Sequence, residues 1–300
     1  MQWPRLITAM VTPFTENGEL DEERAESLAH WLIEQGSEGL VVAGTTGESP
    51  TLTPDERERL FRAVRRGAPT ATVLMGTGTN NTEHAREMSH QAAEWGADGV
   101  LLVTPYYNKP PQDGLFHHFV RITRDLPIPA MLYNVPGRTG VNLEARTVRR
   151  IIDAAPNVIA IKEAGGTIQG FEQLREHCPD LTIYSGDDAL FYPSLGLGTY
   201  GVVSVAAHVV GPEMARMIGA FVGGQQAEAQ RLHLMLAPLF RDLFSWPNPI
   251  PVKWLLNHIG VPVGPVRLPL VFPEDQTAFN RLADEFESIR ASRSSAAFLS

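Results

Sequence analysis

An α/β fold, a (β/α)8 TIM barrel followed by a C-terminal helical subdomain, is what three features of this 300-residue sequence predict. Short apolar, β-branched runs alternate with segments of helical period. Eight such runs occur, with starts 32, 33, 27, 30, 29, 24 and 19 residues apart, the size of strand–helix–strand units. The runs are nearly continuous in apolar residues, as strands of a parallel sheet covered on both faces must be. Eight such units imply closure into a barrel. An open, doubly wound sheet of eight strands is the competing layout.

The runs begin near Ile7 (ITAMVTPF), Gly39 (GLVVAG), Thr72 (TVLMGTG), Gly99 (GVLLVTP), Pro129 (PAMLYN), Val158 (VIAIKE), Thr182 (TIYSGD) and Gly201 (GVVSVAA). Amphipathic stretches at 21–35, 54–67 and 82–95 fill the first gaps. Thr53-Pro54-Asp55-Glu56 reads as a helix start, with Thr at the cap, Pro in the first turn and acid behind it. The barrel is expected to end near Gly223-Gly224, so that residues 1–224 form the catalytic unit. Helical period returns over 225–291, broken by Trp246-Pro247-Asn248-Pro249-Ile250-Pro251 and by the proline-rich stretch 260–273, and this is the expected subdomain. Residues 292–300, small and polar, are expected to be a frayed tail.

Composition narrows the function. With 43% apolar and 20% charged residues the chain can bury a large core and stay in solution. Its net charge is -9 and it has no basic cluster, which argues against nucleic acid as a partner. No apolar run approaches the roughly 20 residues of a membrane helix, and the first residues lack the layout of a signal peptide. Cys178 is the only cysteine, which leaves no intrachain disulfide and no cysteine metal site. A cytoplasmic location is expected. The nine histidines show no metal-ligand spacing, since His117 and His118 diverge on a helix. Gly76-Thr77-Gly78 is too short for a dinucleotide fingerprint. Asp187-Asp188 has the form of a carboxylate pair, but aspartate at a helix start is the commoner role. No metal and no organic cofactor are expected.

The basic residues are unevenly chosen. Only Lys109, Lys162 and Lys253 are lysines, against 22 arginines. In a barrel of this kind chemistry sits at the C-terminal strand ends, which here carry Thr45 and Thr46, Tyr106 and Tyr107, Tyr133 and Lys162. Strand alternation puts Val41, Ala43 and Thr45 on one face, Met131 and Tyr133 on one face, and Val158, Ala160 and Lys162 on one face. Ile159 and Ile161 then face the helices, and Lys162 points inward. Such a lysine either pairs with Glu163 or reaches the rim, or it serves as an amine nucleophile whose ammonium form desolvation disfavours. Arginine is never deprotonated and has no such use, which in a lysine-poor chain favours the second reading. Schiff-base chemistry also needs proton transfer, and Tyr133, one strand away, is placed for it. Arg138, on a turn past the same strand end, can grip a carboxylate. Lys109 in its polar loop and Lys253 at a helix start read as surface or packing residues.

Five motifs occur in order: Gly44-Thr45-Thr46-Gly47-Glu48-Ser49, Tyr106-Tyr107-Asn108-Lys109-Pro110, Tyr133-Asn134-Val135-Pro136-Gly137-Arg138-Thr139, Ile161-Lys162-Glu163-Ala164 and Ser185-Gly186-Asp187-Asp188. As a set they resemble the dihydrodipicolinate synthase / N-acetylneuraminate lyase superfamily over about residues 7–273. The stretch Asn248-Pro249-Ile250-Pro251-Val252-Lys253, Arg138 and 201–206 are similar to its dihydrodipicolinate synthase branch. The resemblance implies a lyase that condenses pyruvate with L-aspartate 4-semialdehyde in lysine and diaminopimelate biosynthesis. Lys162 would form the Schiff base. Tyr133, Thr45 and Tyr107 would relay protons, with Tyr107 reaching across a dimer interface. Thr46 and the Val203 main chain would hold the pyruvate carboxylate, Arg138 the semialdehyde carboxylate, and Gly186 would line the substrate site. A homotetramer, a dimer of dimers, is the implied assembly.

Gly165-Gly166 departs from the Ser or Thr followed by Gly of many synthases, a change expected to touch second-substrate contacts. A 2-keto-3-deoxy sugar-acid aldolase of the same superfamily is the alternative activity, and a non-catalytic binding homologue is the alternative class. Lysine-sensitive members place histidines about where this chain has Pro54 and Arg57, and a glutamate near His84, while Ser49, Asn80 and Tyr106 keep the pattern. Weak or absent inhibition by lysine is therefore expected, unless Glu83 substitutes.

Overall fold

Every strand starts within one residue of its apolar run: β1 (Leu6–Ala9), β2 (Gly39–Val42), β3 (Thr72–Gly76), β4 (Gly99–Val103), β5 (Ala130–Asn134), β6 (Val158–Glu163), β7 (Thr182–Ser185) and β8 (Gly201–Ser204). A computed structural model describes residues 3–297. Sequential strands pair in parallel, and β8 returns to β1 through Ile7 opposite Val203, so the sheet closes into a barrel and the open layout is excluded.

Between the strands run α1 (Glu22–Glu34), α2 (Pro54–Gly67), α3 (Thr82–Trp95), α4 (Gln112–Thr123), the single turn α5 (Pro136–Thr139), α6 (Ala145–Ala154), α7 (Ile168–His177) and α8 (Asp188–Leu195). The expected cap of α2 is formed: Thr53 accepts from the Glu56 amide, and Glu56 returns the bond in a capping box. After β8 come α9 (Ala207–Val222), α10 (Gln226–Asp242), α11 (Ile250–His258) and α12 (Asn280–Ala297). The α12 backbone stays helical through 292–297, part of the segment expected to fray, and 298–300 lie outside the described residues.

Side chains sort into two cores. Ile7, Val41, Leu74, Leu101, Met131, Ala160, Tyr184 and Val203 fill the barrel interior, and Trp3 closes its floor by accepting the Tyr184 hydroxyl on its carbonyl at 3.0 Å. The alternate residues, such as Leu40, Val42, Leu102, Leu132 and Ile161, pack against the helices.

Three face assignments from strict alternation are corrected. Val158 belongs to the outer core and Ile159 leans on the inner one, because the β5–β6 register shifts between Ala130 and Met131, a bulge that resets the alternation before Ala160. Ala43 also packs outward, since β2 ends at Val42 and Ala43 takes a φ of +52°. Ala160 and Lys162 keep the expected inward direction beyond the bulge. Thr45 is aimed by the turn after β2 and not by the strand itself.

The C-terminal helices are fastened to that turn. Lys253 of α11, fully buried, donates to Glu48 Oε1 at 2.8 Å and to the Pro265 carbonyl at 2.7 Å, with Nζ 4.3 Å from the Phe14 ring centroid. The Arg267 amide donates to Glu48 Oε2 at 2.8 Å, and the Arg267 guanidinium pairs with Glu56. Of the two roles expected for Lys253, packing is the one it has.

Candidate active site

Lys162 ends the inward row of β6, buried at 6% exposure, in register with Tyr133 on β5 and Tyr184 on β7. Its Nζ lies 4.3 Å from the centroid of the Tyr133 ring. The next side chain, Glu163, points the other way. It accepts from Asn134 Nδ2 at 3.0 Å and from the Gly165 amide at 2.6 Å, and burial pushes its carboxyl above the usual range. The Lys162–Glu163 pairing is therefore not formed. Among the described residues no carboxylate lies within ion-pair distance of Lys162.

A cavity of about 150 Å³ opens in front of this amine, lined by Tyr133, Thr46, Arg138, Ala164, Gly186 and Asn248 among others. Gly186 is needed here, because a Cβ on it would sit 2.6 Å from Lys162 Cε and 2.9 Å from Ala164 Cβ. Thr46, buried, accepts from Asn248 Nδ2 at 2.9 Å. A second cavity of about 250 Å³ holds Thr45, Tyr106 and Arg57 and shares Val135 and Arg138 with the first. Spaces of this size suit small oxo acids better than a dinucleotide.

Of the eight expected site residues, Lys162, Tyr133, Thr46, Arg138 and Gly186 meet in the first cavity, and Thr45 lines the second. Val203 is fully buried in the barrel interior below them. Tyr107 lies apart, 88% exposed with a φ of +73°, while its neighbour Tyr106 lines the second cavity. Gly165 does not reach the Lys162 cavity. It lines a separate space between α6 and α7, where a Cβ would stand 2.5 Å from Glu163 Oε1, so the Gly-Gly departure acts on Glu163 and not on the pocket in front of Lys162.

Three buried residues, two behind the cavity wall and one in it, were not legible as such. Asp187 does cap α8, accepting from the Ala189 and Leu190 amides at 2.9 and 3.3 Å. Asp188 instead turns inward, and its Oδ2 accepts from the Val205 and Ala206 amides at 3.1 and 2.9 Å. Burial pushes its carboxyl up to about 6. His208 donates from Nδ1 to the Val205 carbonyl at 2.8 Å and accepts the Val11 amide on Nε2 at 3.1 Å. Burial lowers it to about 4, so the ring is neutral at pH 7. Asp188 and His208 thus hold Val205, which lines the cavity. The third, Asn248, sits in the Trp-Pro-Asn-Pro break. That break marks a loop, but no pattern along the chain says that the loop returns to the β2 turn.

No cluster of His, Cys, Asp and Glu with the geometry of a metal site occurs among the described residues. What remains is a buried amine, a phenol, hydroxyls and a guanidinium around a small cavity, the parts of Schiff-base chemistry on a carboxylate-bearing carbonyl compound.

The model of the dihydrodipicolinate synthetase family matches residues 2–285. The chain belongs to that family. Among its relatives, the 4-hydroxy-tetrahydrodipicolinate synthase of Heliobacterium modesticaldum is 53% identical over 278 residues, 92% of each chain. The enzyme of the same name from a Cyanothece species is 52% identical over 276 residues, 91% of this chain and 94% of that one. The crystal structure of a dihydrodipicolinate synthase from Bacillus anthracis superposes with a TM-score of 0.92 at 43% identity, covering 96% of this chain and 99% of the other. A family member from Cyanidioschyzon merolae, solved with lysine bound, gives a TM-score of 0.91 at 48% identity, covering 94% and 97%. The family's barrel and C-terminal helices therefore span nearly the whole chain.

Proposed function

We propose that this chain condenses pyruvate with L-aspartate 4-semialdehyde to 4-hydroxy-tetrahydrodipicolinate through a Schiff base on Lys162. The observation that carries this reading is Lys162 itself: buried at a barrel strand end, facing Tyr133 and an open cavity, with no carboxylate among the described residues to hold it as an ion pair. Relatives at about half identity that bear the synthase name support the choice of substrates.

The amine attacks the keto carbon of pyruvate, and loss of water gives the iminium. Its positive charge acidifies the methyl group, and removal of a methyl proton gives an enamine. The enamine carbon then attacks the aldehyde carbon of the second substrate and forms the new C–C bond. Ring closure by the substrate's own amine at the imine carbon displaces Lys162 and restores it. Each step moves a proton, for which Tyr133 and Thr45 are the near hydroxyls and Tyr107 of a second subunit the third. Thr46 and the Val203 main chain receive the pyruvate carboxylate, Gly186 leaves room for the adduct, and Arg138 takes the second carboxylate. The covalent partner is a side chain, so the reaction needs neither cofactor nor metal.

An exposed Tyr107 on a left-handed residue fits a side chain held out toward a neighbour, and supports assembly as a tetramer of two dimers. Among the described residues no helix is long and apolar enough to cross a membrane, in keeping with a cytoplasmic enzyme. We read residues 1–224 as the catalytic barrel and 225–291 as a subdomain that braces it. The test is product identification with pyruvate plus either the semialdehyde or a sugar aldehyde. Turnover is expected with the semialdehyde, and a 2-keto-3-deoxy sugar acid as the main product would replace this reading with the aldolase one.

A further inference from the structure

A hydroxyl can donate one hydrogen bond, and what it accepts decides where that donation goes. Thr46 is buried in the wall of the Lys162 cavity, and its Oγ1 accepts from Asn248 Nδ2 at 2.9 Å. Its own hydrogen is then directed away from the amide. The other end of the Asn248 amide, Oδ1, is buried and has no partner among the described residues. Turning the amide over would let Thr46 donate to Oδ1 but would leave a buried NH2 unpaired. An under-satisfied carbonyl oxygen is the better tolerated of the two. The orientation that donates to Thr46 is thus the favoured one, and it makes Thr46 a donor toward the cavity. Asn248 comes from the loop before α11, a region clamped to the same β2 turn through Lys253 and Glu48.

We propose that Asn248 is a positioning residue for pyruvate, fixing the Thr46 hydroxyl as a hydrogen-bond donor to the substrate carboxylate. The inference deepens the reading above and rests on Thr46 holding that carboxylate. An aspartate in place of Asn248 reverses the polarity: it accepts the Thr46 hydrogen and adds a negative charge beside an anionic substrate. Arg138, Asp187, Lys162 and Tyr133 are the other titratable groups lining this cavity.

The experiment measures the pyruvate concentration that gives half-maximal borohydride inactivation, in the native enzyme, Asn248→Asp, Asn248→Ala and Thr46→Val, with unfolding midpoints recorded for each. Asn248→Asp is expected to raise that concentration roughly tenfold or more at neutral pH, with kcat falling less than threefold. Acidification should narrow its gap to the native enzyme, because the introduced carboxyl donates again once it is protonated. A fold defect alone would not give that pH-dependent recovery. Asn248→Ala, which adds no charge, should raise the concentration roughly three- to tenfold, and it decides the matter if the aspartate variant does not fold. If Thr46→Val weakens pyruvate while both Asn248 variants match the native enzyme, the proposal is wrong. An unaffected Thr46→Val overturns the premise about Thr46, and no label at Lys162 in the native enzyme overturns the Schiff-base reading itself.

Discussion

The protein buries two lysines, and their surroundings differ in one respect. Lys253 and Lys162 each place Nζ 4.3 Å from the centroid of an aromatic ring, Phe14 and Tyr133 respectively. Lys253 also has the Glu48 carboxylate and the Pro265 carbonyl. Burial lowers it to about 8, with Glu48 opposing that shift. Lys162 has the ring, a cavity and no carboxylate among the described residues. A buried lysine bonded to a carboxylate and a carbonyl is a bolt between two parts of a fold. One whose donors face empty space is free to react, and its unpaired burial is a cost that function justifies.

The sharpest way to break this comparison is to remove each amine. Lys162→Arg should lower turnover by at least ~10⁴-fold, because arginine keeps the charge and offers no nucleophile. Lys162→Met should unfold at the native denaturant concentration or above it, since a buried polar group without a carboxylate partner among the described residues is replaced by an apolar one. Borohydride with pyruvate should add a three-carbon unit at Lys162, and labelling at Lys109 or Lys253 would refute the assignment. Lys253→Met should do the opposite, costing about 3–5 kcal/mol of stability because Glu48 is left buried without its cation. Lys253→Met combined with Glu48→Gln should recover part of that loss, and equal stabilities for the single and double variants would mean that the pair is not a clamp.

Acidic groups extend the comparison to the catalytic side. The folded value of Asp188, about 6, lies above the unfolded 3.8, so the folded state prefers the protonated form. Stability is lost on this account as the pH rises from 3.8 through 6, by about 3 kcal/mol. His208 and His118, each held near 4 against 6.5 unfolded, act in the other direction and lose stability as the pH falls from 6.5 through 4. Asp188→Asn should leave the histidine term unopposed, so its unfolding midpoint should climb more steeply between pH 4.5 and 6.5 than the native one. Parallel curves would show that Asp188 is not the strained group.

At the rim the effects are smaller. Arg138→Ala should reduce kcat/KM for the semialdehyde by about 2–3 kcal/mol, roughly 30- to 150-fold, while pyruvate trapping stays near native. Equal loss in both would make Arg138 structural. The smallest response is expected from free L-lysine. The half-buried Arg57 donates to the Gly76 and Ser49 carbonyls at 3.0 and 2.7 Å, where an incoming ammonium would meet a fixed positive charge. Glu83, the substitute carboxylate, is engaged with Arg121 at 2.8 Å. Initial rates with lysine titrated at saturating pyruvate test this, and half-inhibition below about 1 mM, some 4 kcal/mol of binding, would contradict it.

Periodicity and spacing along the chain determined the barrel, its eight strands and the inward direction of Lys162, because a strand's two faces and a helix's one are local properties that side-chain order expresses directly. The same order singled out Tyr133 by its face near the end of β5 and Arg138 by its place on the turn beyond it. Local rules failed where the backbone left its repeat. The bulge at Ile159 reversed Val158, and the left-handed Ala43 took the β2 turn out of register. Tertiary structure alone decided which remote segments meet: Asn248 on Thr46, Lys253 and Arg267 on Glu48, and Asp188 on the amides of Val205 and Ala206. Those contacts join residues up to 219 positions apart. Each depends on where closure of the barrel brings the later chain back over the earlier one, a global condition that no window of neighbouring residues contains.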